Sequence, residues 1–172
     1  MDDGPRYRSL VRLGRQEFLA ASAPAFFLRK VLNVWPPATP VAAPITEMLK
    51  EDEITAPVHV NAAAMQISQL EVYPLIKKPA AAFPELITIG RTVNNDVVLA
   101  NHSISRFHLY VTYRDDQWWI ADAGSKNGSW LAGQKLHPRR EAKLTPTSHV
   151  RVGELFLTFH LASDAYEVLG GQ

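Results

Sequence analysis

The spacing of hydrophobic positions divides the chain into two patterns. Between Tyr7 and Phe27, Leu10, Leu13, Glu17 and Ala20 or Ala21 lie three or four residues apart, with Arg8, Arg12 and Arg15 between them. That period predicts a helix with one mostly apolar face, ended by Pro24. The following FFLRKVLNVW suits a helical turn or a strand. Trp35 to Pro44 holds four prolines and reads as a stiff spacer, and Ile45 to Ile54 as a short helix with Thr46 at its N-cap.

From Met65 onward the apolar runs become short and alternating. Ile67 to Leu75 predicts a first strand, followed by Leu86–Ile89, Val97–Leu99, Leu109–Tyr113 and Trp118–Ala121. Trp130-Leu131, Lys135-Leu136, Ala142–Leu144, His149–Val152 and Leu155–Leu161 complete the series, and Ser163 to Gln172 is left as a last turn or a frayed tail. Asn95-Asp96, Asp115-Asp116, Asn127-Gly128, Gly133 and Gly153 punctuate it as turns. Strands this short at near-regular spacing predict an all-β sandwich of two antiparallel sheets. The expected division is a partly helical extension over residues 1–60, including the proline-rich linker, and a β-sandwich domain over 61–172.

Composition narrows the function. Lys and Arg number 18 against 17 Asp and Glu, a net charge of +1, so a nucleic-acid-binding footprint is not expected and any basic site must be local. The chain has no cysteine, which excludes disulfides and thiolate chemistry. The first residues lack the order of a signal peptide, and Ala20 to Trp35 is too short and too charged to span a bilayer. A cytoplasmic protein without a membrane partner is the expectation; the oligomeric state stays open. No GxSxG elbow, P-loop or HExxH is present, and the histidines are scattered, so neither an enzyme, a metal site nor a cofactor is expected.

Residue types suited to gripping a phosphate gather between Ile89 and Gly133. Arg91 follows Gly90 at a strand end, where its planar fork can hold two oxygens of a dianion. Ser103, Ser105 and Arg106 lie in one loop; Ser125, Lys126, Asn127 and Gly128 lie in another. By composition alone Ser103 and Ser105 are equivalent donors. Together, Gly90-Arg91, Asn95-Asp96 before Val97–Leu99, the Ser105-x-x-His108 pair, Asn127-Gly128 and Val152-Gly153 resemble the forkhead-associated (FHA) family of phosphothreonine-binding β-sandwiches.

The resemblance implies a module that binds phosphothreonine-containing peptides in signalling. It puts Arg91, Ser105, Arg106, Lys126 and Asn127 on the phosphopeptide, with Asn127 on its backbone and Gly90, His108 and Gly128 as structural support. It selects Ser105 over Ser103, and assigns the reading of peptide residues beyond the phosphothreonine to Asn101–Ser103 and Gly128–Trp130. The sequence departs from the family at Lys126, where Thr or Ser is usual, and at Ala132, where Asn is usual. The alternative reading is a phosphate-independent interaction or scaffold domain that docks through its sheet or its N-terminal helices.

Overall fold

In the computed structural model the described residues are 3–32, 67–79 and 83–170. They form α1 (Gly4–Val11), α2 (Arg15–Ala21), β1 (Ala25–Leu32), β2 (Ile67–Pro74), β3 (Ile87–Gly90), β4 (Val97–Val98), β5 (Leu109–Arg114) and β6 (Gln117–Asp122). β7 (Ser129–Leu131), β8 (Gln134–Lys135), β9 (Ala142–Leu144), β10 (His149–Val152), β11 (Leu155–Leu161) and α3 (Ala162–Val168) follow. The proline-rich spacer and the expected helix at Ile45–Ile54, with Thr46 at its N-cap, lie outside the described residues.

Two sheets stack face to face. One has six strands in the order β2-β1-β11-β10-β7-β8, the other five in the order β4-β3-β5-β6-β9. All ladders are antiparallel except β3–β4, a short parallel pair that departs from the expected all-antiparallel sheets. Parallel neighbours ordinarily need a long crossover. Here the six residues between them are held instead by the fully buried Asp96 carboxylate. It accepts bonds from the Thr88 amide and hydroxyl, each at 2.8 Å, and from Lys77 Nζ at 2.9 Å.

Alternation along the strands sends Ile89, Leu109, Val111, Ile120, Leu157 and Phe159 between the sheets. Burial of apolar surface stabilises by roughly 25 cal/mol per Å², and this shared interior holds together the strands from which the loops emerge.

Residues 25–32 belong to this architecture, although the sequence pattern groups them with the extension. β1 lies between β2 and β11, pairing Phe27 with both Tyr73 and Phe159. Its inward Ala25 and Phe27 enter the sandwich core, while Phe26 and Leu28 face the helices on the outer side. There they meet Tyr7, Val11, Phe18, Ala165 and Tyr166 in a second cluster. Tyr7 meets Phe26 edge-on at 4.9 Å, and Phe18 lies 5.4 Å from Tyr166.

The N-terminal helical stretch breaks before Gly14, so the expected continuous face does not form: Tyr7, Val11 and Phe18 turn inward and Leu13 is 65% exposed. The tail is a helix whose Tyr166 closes this cluster. The N-terminal segment also covers edge strand β2, where Asp3 N–H donates to Val72 O and Arg8 to Leu70 O.

Candidate functional site

Three loops meet at one end of the sandwich: 91–96 after β3, 99–108 before β5, and 123–128 between β6 and β7. Hydrogen bonds knit them from below. The Arg91 amide donates to Ser105 O, and Asn95 Nδ2 donates to the Thr92 and Arg106 carbonyls at 2.9 and 2.6 Å. This approach requires Gly90, because a Cβ there would press on the Arg106 carbonyl and lie 2.8 Å from Asn95 Nδ2.

His108 is a strut under the second and third loops. It is fully buried; Ser105 N–H donates to its Nδ1 at 2.9 Å, so the ring proton resides on Nε2 and donates to Gly128 O at 3.0 Å. Burial pushes its pKa below the ordinary value, only partly opposed by the Gly128 bond and the nearby Asp122 charge, and the ring is held neutral.

Asp122 anchors the third loop and was not singled out from the sequence. Its buried carboxylate accepts from the Gly124 and Ser125 amides at 2.8 Å each, from Ser125 Oγ at 2.7 Å and from Ser129 Oγ at 2.6 Å. Burial raises its pKa, but these four donors outweigh that and hold it below the usual carboxylate value. The readable signal was Asp-x-Gly-Ser directly after a strand, an Asx-turn pattern.

Above this scaffold is a depression of about 950 Å³. Arg91, Ser105, Arg106, Lys126 and Asn127 all line it, whereas Gly90, His108 and Gly128 lie outside its lining. Arg91, Arg106 and Lys126 are exposed, form no ion pair among the described residues, and share the lining with no Asp or Glu. Ser105 Oγ accepts the Lys126 amide at 3.0 Å, and its own proton has no acceptor among the described residues. Asn127 Nδ2 donates to Ser103 O at 2.7 Å, tying the two loops together.

Ser103 and Ser105 are no longer equivalent. Ser103 is 3% exposed and its hydroxyl is consumed, donating to Asn101 Oδ1 and accepting from the Glu154 amide. Of the stretches expected to read further peptide residues, His102 and Ser103 line the depression, but Gly128, Ser129 and Trp130 do not. Phe83, Thr92, Asn94 and Phe107 also line it, though no phosphate-binding pattern in the sequence marks them.

Such a set of donors can hold a compact anion: a forked cation, an ammonium, a hydroxyl and a rigid loop floor, with no carboxylate to oppose it.

No curated protein matches the chain. Among solved structures, Mycobacterium tuberculosis EmbR in complex with a low-affinity phosphopeptide is 24% identical, with a TM-score of 0.44, over 58% of this chain and 23% of that one. The N-terminal FHA domain of S. cerevisiae Rad53p in complex with a phosphothreonine peptide is 21% identical, with a TM-score of 0.47, over 59% and 92%. The FHA domain of the CT664 protein from Chlamydia trachomatis is 28% identical, with a TM-score of 0.41, over 44% and 76%. The family model described as the FHA domain matches residues 87–153, the segment that holds all three loops. Residues 87–153 are therefore an FHA domain.

Proposed function

We propose that this protein is a phosphothreonine-dependent interaction module that captures phosphorylated segments of partner proteins at the depression bounded by Arg91, Ser105 and Lys126. The observation that carries the reading is the convergence of three cations without ion-pair partners, and a hydroxyl whose proton has no acceptor, among the described residues, over a floor whose own carboxylate is fully engaged. In this reading the Arg91 fork bonds two phosphate oxygens and Ser105 a third. Lys126 supplies charge where a hydroxyl is usual in the family, Arg106 adds a further positive charge, and Asn127 meets the peptide backbone.

The role is binding and not catalysis, and the working compartment is the cytoplasm. The folding unit takes in β1 together with β2 to β11, because β1 is an interior strand of one sheet. No helix among the described residues is long and apolar enough to cross a membrane. Calorimetric titration of the full chain with a phosphothreonine peptide and its unphosphorylated twin tests the proposal. Binding of the phosphorylated form alone is expected, and equal affinity for both overturns it.

A further inference from the structure

The open half of the outer face of the six-stranded sheet carries a row of alternating cationic and aromatic side chains. Lys135 pairs with Trp130, Trp130 with Arg151, and Arg151 with Phe156 across β8, β7, β10 and β11. Leu28 pairs with Thr158, which brings Lys30, two residues further along β1, to the end of the row. Lys30, Trp130, Arg151 and Phe156 border a groove of about 440 Å³ that also takes in His149 and, among the described residues, has no Asp or Glu in its lining. Phe156 is 70% exposed.

We propose that this row is a second docking site, separate from the loop depression, for an acidic extended segment of a partner protein. Charge complementarity identifies the occupant: among the described residues Lys30, Lys135 and Arg151 make no ion pair, and the charged side chains that line the groove are positive. The Arg151 guanidinium lies 3.4 Å from the Trp130 ring centroid, a stack that holds the fork flat and lowers the ordering cost of meeting a carboxylate. The same stack occupies one face of Trp130, which argues against that ring as a platform for a nucleic-acid base.

Spacing refines the occupant. The three cations stand on alternate strands, roughly 10 Å apart, twice the interval between neighbouring strands. An extended chain in the polyproline II conformation advances ~3.1 Å per residue with about three residues per turn, so carboxylates at every third position share one face and match the row. An apolar side chain between them would rest on Phe156.

The test uses the full chain, uniformly labelled with nitrogen-15, and a synthetic seven-residue peptide with glutamate at its first, fourth and seventh positions and leucine between. Amide shifts at Trp130, His149–Arg151 and Phe156–Thr158 are expected, with no shifts at Arg91, Ser105 or Lys126. Lys30→Glu, at an exposed position, and Arg151→Gln should each weaken binding about tenfold or more, the scale of one charge-assisted contact, and added salt should weaken it further. Absence of shifts, shifts centred on the loop depression, or insensitivity to both variants overturns the proposal. Equal binding of a peptide with its three glutamates adjacent, or tighter binding of a single-stranded oligothymidylate at the same row, also overturns it.

Discussion

The loops at the end of the sandwich have an upper side and an underside built from opposite chemistry. Above, Arg91, Arg106 and Lys126 stand exposed, without ion-pair partners among the described residues. Below, His108 and Asp122 are buried, neutral and ionised respectively, with the hydrogen-bonding atoms described above engaged in fixing one loop to another. The contrast separates two duties. The buried pair sets the shape of the depression, while the exposed cations are left uncommitted and set what it attracts. Substitutions on the underside should therefore change stability and binding together, and substitutions on the upper side binding alone.

The largest effect tests the underside. Asp122→Ala removes the acceptor of four bonds and leaves the Ser129 hydroxyl buried without a partner. A loss of about 3 kcal/mol or more is expected in urea denaturation. A loss below about 1 kcal/mol would show that the third loop does not depend on this carboxylate.

Arg91→Ala should do the converse. Affinity for a phosphothreonine peptide falls at least tenfold by calorimetry, since each charge-assisted bond contributes ~1.5–3 kcal/mol and ~1.4 kcal/mol is a decade. Unfolding stability stays within about 0.5 kcal/mol of the parent. A variant that binds normally, or one that unfolds easily, breaks the division of duties.

Acid separates the two sides further. Burial lowers the pKa of both His108 and His160, so on acidification the unfolded chain takes up these protons before the folded one. Stability from these groups is whole above about pH 6.5 and declines as the pH falls from there toward the depressed folded values. His108→Gln should flatten part of that decline and leave the His160 part in place. An unaltered slope between pH 7 and pH 5 would show that His108 is not among the groups responsible.

The smallest effect lies at the β7–β8 hairpin, where Ala132 holds φ at +48°, in the left-handed region that alanine disfavours. Ala132→Asn should raise stability by up to about 1 kcal/mol in thermal unfolding, with no change in phosphopeptide affinity. A decrease would mean that the turn accommodates alanine without strain.

What was legible in the sequence follows from which faces are buried. Strands such as β5 and β10 cover a core on one side only, so their alternation is visible and their positions agree closely with expectation. β1 buries both faces over Ala25–Leu28 and shows no alternation, which is why it was open between helix and strand and grouped with the extension. The break at Gly14 shifts the helical phase, and with it the apolar face moves from Leu13 to Phe18.

At the loops, Arg91, Ser105, Arg106, Lys126 and Asn127 could be named from motif order, and they share one depression. Choosing Ser105 over Ser103 on physical grounds needed the three-dimensional fact that Glu154, distant in sequence, donates to the Ser103 hydroxyl. Asp122 escaped notice because an anchoring carboxylate leaves no periodic trace.

The cover over edge strand β2 bears on how molecules of this protein behave when crowded. A terminal strand with free carbonyls invites a strand from a neighbour to add itself to the sheet, the usual start of uncontrolled association. On β2 the outward carbonyls of Leu70 and Val72 already receive hydrogen from Arg8 and Asp3. The first helix thus works as a cuff on the sheet's margin, and a chain shortened at that helix would bare a sticky border while every loop at the far end stayed intact.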